Sequence, residues 1–361
     1  MRIAMVAPLY ESVPPVRYGG TERVVANLTD ELVRRGHDVT LFASGDSQTS
    51  ARLVPICPCA LRSGRRLDDP VAYHVLQLAT VYEQASEFNL IHSHCDFRAF
   101  PFARLTTTPT LSTNHNRLDA PEYQALLGAY PDAAFTALSH SHRRQLTGGR
   151  CVGVVYNGIL VEGFPFEATA GSYLAFVGRL SPDKGPLDAI EVAERTGIPL
   201  KIAAKINDWE QDYVESKLRP RLRPPLIEYV GELCESDKRE LVRGALAILC
   251  PLRWPEPFGL VMIEAMATGT PVVAYLAGAA PELVVDGVTG FLCSDVPAMV
   301  DRVTRVAALD RFACRRRVET HFSVHTMADA YERAFQSVVA SPPRVCGKGQ
   351  GAGDVRTSPA P

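Results

Sequence analysis

Two acidic residues stand where an unpartnered carboxylate would be costly. Glu256 lies between Pro255 and Pro257, and Glu264 lies in an otherwise almost wholly apolar part of the segment 252–273. Because burying a carboxylate without partners is unfavourable, such residues are rarely core filler. A carboxylate can accept both hydroxyls of a vicinal diol, as acidic residues do for ribose in dinucleotide-binding folds. Either residue alone would more often be structural, but the two together predict a ligand site.

Two cations form a second group of candidates. Arg179 and Lys184 lie in FVGRLSPDKG, just after a predicted strand, where we expect a loop. An arginine offers a planar fork of donors and a lysine a mobile point charge, a combination that suits a diphosphate. SPDKG is also typical of a solvated turn, and that would be the preferred interpretation of the segment alone. Beside the two glutamates, the cations predict a phosphate-binding role.

Glycines precede two predicted helices. Gly19 and Gly20 come before the first helix, and Phe258 and Gly259 open the helix that carries Glu264. A glycine lets the backbone approach a ligand closely, and the first N–H groups of a helix can bind phosphate. The glycine pair alone is a weak signal, because many helices begin after glycine.

Three histidines follow predicted strands. His92 and His94 alternate along a strand end and therefore face the same way. We predict no metal site, because no carboxylate or cysteine with ligand spacing accompanies them. A neutral imidazole that donates hydrogen bonds to a ligand is the preferred interpretation, with a structural core histidine as the alternative. His115, in STNHN, is more ambiguous.

Two basic clusters, 315–317 and 140–144, are predicted to be solvated helix faces. For the second, contact with an acceptor or with anionic lipid is a minority alternative.

Predicted strands and helices alternate in two successive series. The first opens with a strand at 3–9 and a helix at 21–35, and the second with a strand at 173–177 and a helix at 186–196. A further helix is predicted at 208–218. This alternation implies parallel sheets, so the sequence predicts an α/β protein with two Rossmann-like, doubly wound domains that face each other across a cleft. Ligands of such sheets bind beyond the carboxyl ends of the strands, where the candidate residues fall.

Composition restricts the class of protein. The 361 residues carry a net charge of -2, which argues against a nucleic-acid partner, and nine scattered cysteines without a CxxC pair favour a reducing cytosol. We find no signal peptide and no run long enough to span a bilayer, so we predict a cytoplasmic protein. Peripheral contact with the inner membrane face stays open. Residues 341–361 are predicted to be a disordered tail.

These residues together resemble the retaining family 4 glycosyltransferases of the GT-B fold. The resemblance runs from Arg2 to about Val339 and is strongest in EPFGLVMIEAMATGTPVVA. FVGRLSPDKG, YGGTERVV, VVYNGILVEGF and APELVVDGVTGFL also match, in the family's order along the chain. The resemblance implies an acceptor-side domain at 1–165, a donor domain at 166–322 and a helix at 323–340 that crosses back to the first domain.

The resemblance also implies an activity and roles for residues. The family transfers a sugar from a nucleotide-diphosphate sugar to an acceptor hydroxyl, with retention and without a required metal, and we expect no other cofactor. Glu264 would hold the ribose diol, Glu256 would contact hydroxyls of the donor sugar, and His94 matches the cleft histidine beside that sugar. Arg179 and Lys184 would hold the diphosphate and stabilise the leaving group. The other donor-binding candidates are Gly19, Gly20, Lys205, Phe258, Gly259 and Leu260.

Two departures from the family pattern leave the donor open. Many members have a glycine-rich turn where this chain has Ala204 and Lys205, and members often have Pro-Ser where it has the segment 251–254. The base, uridine or guanosine, and the sugar are therefore not predicted. The acceptor, a saccharide, a lipid-linked molecule or a small molecule, is expected to bind variable loops at 44–70 and 116–131. The alternative functions are a nucleotide-sugar epimerase or hydrolase and a non-catalytic nucleotide-sugar binding protein.

Overall fold

The computed structural model describes residues 1–63 and 69–341, so the predicted tail lies outside the described residues beyond Ser341. Within these described residues, thirteen strands form two sheets. The strands are β1 (Arg2–Val6), β2 (Asp38–Ser44), β3 (Arg52–Cys57), β4 (Leu90–Ser93), β5 (Thr110–Thr113), β6 (Ala134–Ala137), β7 (Arg150–Val154), β8 (Leu174–Arg179), β9 (Leu200–Lys205), β10 (Ile227–Gly231), β11 (Ala247–Cys250), β12 (Val272–Tyr275) and β13 (Gly290–Cys293).

Helices connect the strands and cover the sheets. They are α1 (Gly20–Arg34), α2 (Val71–Glu83), α3 (Phe100–Ala103), α4 (Pro121–Ala129), α5 (His140–Arg144), α6 (Pro186–Thr196), α7 (Gln211–Tyr213), α8 (Glu235–Arg243), α9 (Leu260–Ala267), α10 (Ala280–Leu283), α11 (Val296–Val303), α12 (Arg311–His321) and α13 (Val324–Ala340). Within 1–63 and 69–341, no helix combines the length and the apolar character needed to cross a membrane.

Both sheets are doubly wound, which confirms the predicted fold class. The first has the order β3-β2-β1-β4-β5-β6-β7 and the second β10-β9-β8-β11-β12-β13. All the paired strands within each sheet run parallel. Helices make most of the connections, as parallel strands require, whereas β2 and β3 are joined by a loop. The strand order reverses between β1 and β4 in the first sheet, and between β8 and β11 in the second. Crevices at these two switch points are where such sheets bind ligands.

The N-terminal core is completed by the last helix of the described chain. Tyr331 and Phe335 of α13 are fully buried beside Leu28 and Leu32 of α1. Burying side chains of this size stabilises the fold by about 1.5–3 kcal/mol each. Arg35 reinforces the contact, because its Nη1 lies 2.6 Å from Asp329 and 2.7 Å from Glu332. The first sheet is therefore packed by residues from both ends of the sequence.

Two crossings between the sheets lie side by side. The N–H of Ile159 donates to the carbonyl of Phe322 at 2.9 Å, and the N–H of Val324 donates to the carbonyl of Ile159 at 2.8 Å. The outgoing and returning segments are thus hydrogen-bonded to each other where the chain passes between the domains.

Two predicted elements differ from the structure. Residues 52–57, assigned to an acceptor loop, form edge strand β3, whose half-exposed residues and Pro55 hide the strand pattern. Part of that predicted loop, 64–68, lies outside the described residues. The helix predicted at 208–218 is a succession of 3₁₀, α and π turns. Pro220 follows it and lacks the N–H that an α-helix would need to continue.

The two basic clusters are not simply solvated helix faces. Arg315 donates to the carbonyls of Phe164 and Ala267, both at 2.8 Å, and Arg317 donates to the carbonyl of Glu282 at 2.9 Å. These guanidinium groups satisfy main-chain carbonyls that would otherwise be unpaired.

In the cluster at 140–144, His142 is fully buried and bonded to the carbonyl of Asn116 at 2.8 Å. The N–H groups of His140 and Ser141 bind the carboxylate of Glu282 from the other domain. Short-range charge patterns do not reveal such long-range partners, so the prediction of two solvated faces was wrong for these residues.

Candidate active site

A cavity of about 610 Å³ lies between the two sheets, beyond the carboxyl ends of their strands. It is bordered by the segments that follow β1, β4, β8 and β11, which are the strands at the two switch points. The predicted catalytic and donor-binding residues line it: Gly19, Gly20, His94, Arg179, Lys184, Lys205, Glu256, Phe258, Gly259, Leu260 and Glu264. The fold therefore brings the predicted set together, while the role of each residue stays a prediction. His92 is not among the lining residues; it is a buried core histidine whose Nε2 lies 2.9 Å from the hydroxyl of Thr113.

Glu256 and Lys184 form an ion pair on the cavity wall. The Lys184 ammonium donates to the Glu256 carboxylate and lies 5.1 Å from the centre of the Trp254 ring. Main-chain hydrogen bonds fix the loop that holds Glu256. The N–H of Glu256 donates to the carbonyl of Trp254 at 2.8 Å, and the N–H of Ala279 donates to the carbonyl of Glu256 at 3.0 Å. Both charged groups are mostly buried yet face the cavity, so each can exchange its partner for a ligand.

The starts of α1 and α9 meet across the cavity, and both need glycine. Gly259 has φ 96°, and a Cβ there would lie 2.3 Å from Met262 Cε. A Cβ on Gly19 would lie 2.6 Å from the Cβ of Pro15. A Cβ on Gly20 would come within 3.3 Å of the Leu260 side chain, which belongs to the other domain. The free N–H groups of two helix starts are thereby brought close together, an arrangement that favours an anionic ligand.

Arg179 and Lys205 lie at paired positions on β8 and β9. Arg179 is the last residue of its strand, not part of a loop as predicted, because the strand continues beyond its apolar residues. Its guanidinium donates to Glu210 at 2.9 Å and to Asp183 at 3.2 Å. Paired positions on neighbouring strands place side chains on the same face of the sheet, so the two cations lie side by side.

Glu264 belongs to a chain of charges that the sequence did not reveal. Lys238 Nζ lies 3.0 Å from Glu264 and 2.9 Å from Glu235, and Arg23 lies 3.2 Å from Glu235. Burial opposes the charge of Lys238, but the two carboxylates outweigh it and raise the pKa of the ammonium. In the sequence, Glu235 and Lys238 look like ordinary exposed helix residues. Their position links α9 and α8 of the second domain to α1 of the first.

His94 presents an unused nitrogen to the cavity. Its Nδ1 lies 2.8 Å from His115 Nε2, whereas its Nε2 is buried and has no polar partner among the described residues. Burial lowers the pKa of His115 to about 3 and that of His94 well below its usual range, so both rings are neutral. An unpaired buried nitrogen indicates a ligand contact. His115 also lines the cavity, and only its position after a strand hinted at this.

No group of three or more His, Cys, Asp and Glu side chains suited to a metal ion occurs in the part of the chain that the structure describes. Positive charge at the cavity comes instead from lysine and arginine.

Comparisons with known proteins match both halves of the chain. Residues 18–162 match the family model described as Glycosyltransferase Family 4, and residues 166–316 match the one described as Glycosyl transferases group 1. The glycogen synthase of Mycobacterium tuberculosis H37Rv is 28% identical and aligns over 93% of this chain and 94% of its own. A phosphatidyl-myo-inositol mannosyltransferase of Mycobacterium leprae is 25% identical over 94% of this chain and 95% of its own.

Solved structures show the same fold. The sucrose-phosphate synthase of Thermosynechococcus elongatus superimposes with a TM-score of 0.78 at 19% identity, over 94% of this chain and 100% of its own. The Anabaena protein HepE in complex with UDP-glucose superimposes with a TM-score of 0.73 at 20% identity, over 93% of this chain and 100% of its own. Both halves thus match glycosyltransferase models, relatives aligned over nearly the whole chain are transferases and synthases, and the GT-B architecture is the same. The chain belongs to the family 4, group 1 glycosyltransferases.

Proposed function

We propose that this glycosyltransferase moves a sugar from a nucleotide-diphosphate sugar to an acceptor hydroxyl, with retention at the anomeric carbon and without a metal ion. The observation that carries the proposal is the cavity between the two sheets, in which two helix starts and the cations Arg179 and Lys184 face the carboxylates Glu256 and Glu264. A ligand that fits this set of residues must combine a diphosphate with two groups rich in hydroxyls, as a nucleotide-diphosphate sugar does.

The donor would lie along the second domain. Glu264 accepts the two ribose hydroxyls, and Lys238 holds its carboxylate in place from behind. The diphosphate occupies the space beside Arg179 and the start of α9, and the transferred sugar reaches Glu256 and the free nitrogen of His94. The UDP-glucose bound to HepE supports a nucleotide-sugar donor for this chain.

Transfer requires one bond to break and one to form on the same face of the sugar. As the bond between the anomeric carbon and the phosphate oxygen breaks, both electrons go to the diphosphate, where Arg179 and Lys184 stabilise the developing charge. The acceptor oxygen bonds to the anomeric carbon, and its proton passes to an oxygen of the departing phosphate. The products are a glycoside and a nucleoside diphosphate, and Glu256 orients the sugar without becoming its nucleophile.

Fixed cations can replace a metal ion in this chemistry. A diphosphate needs positive charge at its bridging and terminal oxygens, and fixed cations with helix N–H groups supply it in a site that excludes water. The alternative functions, an epimerase or hydrolase and a non-catalytic binding protein, gain no support from relatives named as transferases and synthases.

The test is donor binding and turnover by the full chain. We expect calorimetry to show submillimolar binding of one donor from a panel of UDP- and GDP-sugars, unchanged by EDTA and weakened in Arg179→Met. Chromatography of the glycoside should show the donor's anomeric configuration in the product. Absence of donor binding by the folded wild type would refute the function, and an inverted product or loss of activity in EDTA would refute the retaining or metal-free part.

A further inference from the structure

Arg62 lines the cavity from the side of the first domain, and its guanidinium group makes no hydrogen bond to a carboxylate of the described residues. Its guanidinium carbon lies 4.6 Å from the centre of the Tyr10 ring, and the nearest carboxylate oxygen among the described residues, on Glu11, is 3.8 Å away. The main chain is fixed, because the N–H groups of Leu61 and Arg62 donate to the carbonyls of Leu9 and Tyr10. The Arg62 head group is thus held at the wall with most of its donors unused.

Arg98 is a second cavity arginine with an incomplete partner. Its Nη1 lies 3.6 Å from Asp96 and 3.5 Å from the carbonyl of Cys95. The Asp96 carboxylate is already bound by the N–H of His115 at 3.3 Å and by the amide of Asn116 at 2.9 Å. Because Asp96 shares its oxygens with these donors, it leaves Arg98 only partly neutralised.

Two arginines away from the cavity show what a close pairing looks like. Arg117 donates to both oxygens of Asp119 at 2.6 and 2.8 Å, and Arg253 donates to both oxygens of Asp188 at 2.6 and 3.0 Å. A guanidinium fork matches the two oxygens of a carboxylate or phosphate. The loose contacts of the two cavity arginines therefore leave two such forks available to a ligand.

The acidic residues nearby do not cancel this charge. Glu11 lies between two cations, 3.8 Å from Arg62 and 3.6 Å from Lys205. Burial raises the pKa of the Glu22 carboxyl to about 7, so this side chain carries less than a full negative charge at neutral pH. Among the described residues, eight cations and seven carboxyl groups line the cavity, Arg17 and Glu232 included, and the incomplete charge of Glu22 leaves a small positive excess.

Aromatic rings complete this wall. Tyr10 and Tyr123 both line the cavity, and Tyr123 is held against Phe97 with 4.9 Å between ring centres. Aromatic faces pack well on the apolar face of a sugar ring, while their hydroxyls can bond to it. Such a surface suits a polyol that carries an anionic group.

We propose that the acceptor bears a negatively charged group and that Arg62 and Arg98 bind it. The shared chemistry is a phosphate ester or a carboxylate, as in a sugar phosphate or a uronic acid. The proposal rests on the proposed function, because it concerns the second substrate of the same cavity. Both arginines are then residues that determine acceptor specificity and leave donor binding unaffected.

The test uses the full chain saturated with the nucleoside diphosphate of the donor that binds. Calorimetric titrations with inorganic phosphate, α-glucose 1-phosphate, glucuronic acid and glucose separate phosphate, carboxylate and neutral ligands. We expect at least one anionic ligand to bind at least tenfold more tightly than glucose. Arg62→Met and Arg98→Met should each lose about tenfold of that affinity, as expected for one charge-assisted contact.

Arg104→Met is the matched control. Arg104 also lies over a tyrosine, 4.4 Å from the centre of the Tyr130 ring, but does not line the cavity. The Arg104→Met variant should bind the anions as tightly as the wild type does. All three variants should bind the nucleoside diphosphate with the affinity of the wild type. The proposal would be overturned by anionic ligands that bind the wild type no better than glucose, or that bind both cavity variants as tightly as the wild type. A separate titration without anions tests the proposed function. If the wild type binds no nucleoside diphosphate in that titration, the proposed function is refuted, and the inference with it.

Discussion

Glu264→Gln tests the site most directly, because it keeps the side chain's shape and removes its charge. The Glu264 carboxylate is 7% exposed, and both of its oxygens lie 3.0 Å from Lys238 Nζ. Hydrogen bonds to a charged group contribute about 1.5–3 kcal/mol each, and a glutamine can still accept one weaker bond. We therefore expect donor affinity to fall by about 2 kcal/mol, or roughly thirtyfold in Kd.

The fold should tolerate this substitution. Lys238 keeps its second partner, Glu235, at 2.9 Å, so no buried cation is left alone. We expect a Tm within a few degrees of the wild type, roughly as for a loss of 1 kcal/mol or less. Glu240→Gln is the control, because Glu240 lies on α8 and pairs with Arg243 at 2.7 Å, outside the cavity. It should leave donor affinity unchanged.

The assay compares a nucleoside diphosphate with its 2′-deoxy analogue by calorimetry. If Glu264 holds the ribose diol, the wild type should prefer the natural nucleotide about tenfold, the usual scale of one charged hydrogen bond, and the variant should lose most of that preference. An equal preference in both proteins would mean that the carboxylate and the ribose hydroxyls act independently. That result would refute the assignment even if the affinity of the variant fell.

Other perturbations have distinct expected outcomes. Arg179→Met should lower the rate of donor consumption by about two to three orders of magnitude, as removal of a transition-state donor does, and a smaller effect than tenfold would contradict its role. Its Tm should fall somewhat as well, because the buried Glu210 loses its cationic partner. Lys238→Met should lower the free energy of unfolding, measured by urea denaturation, by about 3 kcal/mol, because Glu235 and Glu264 lose their shared cation. A variant as stable as the wild type would show that the ion pairs of Lys238 contribute nothing to stability. Burial raises the pKa of Glu22 from 4.5 to about 7, so its stabilising contribution is full below pH 4.5 and lost as pH rises through 7. Thermal melts should therefore show Glu22→Gln gaining Tm relative to the wild type at pH 8 but not at pH 4, and equal shifts at both would contradict this pKa.

The local residue pattern was enough to predict the two sheets and the ligand side of each. Buried parallel strands such as β1 and β11 are short apolar runs, and the glycines and prolines around them indicate where the chain turns into the cavity. Edge strand β3 escaped prediction because a half-exposed strand lacks that apolar run. Its pairing with β2 depends on the folded neighbour, which local sequence does not contain.

The site was predictable where a residue type is costly in its local setting, as for Glu256 and Glu264. The charge chain through Glu235 and Lys238 was not, because each residue is ordinary on an amphipathic helix. Their significance arises only when α8 and α9 pack together and bury the pair against Arg23 of the other domain. Loosely paired arginines such as Arg62 are equally invisible, since partner distances are a property of the fold.

The return of α13 to the first domain has a consequence for how the chain is made. The helix that fills the N-terminal core begins at Val324, after nearly the whole second domain has been translated. A ribosome therefore releases β1 to β7 with part of one apolar face of that sheet covered only by α1, while the second domain can fold before α13 emerges. The first domain to emerge is the last to be finished, so nascent chains should depend on chaperone protection for most of their synthesis.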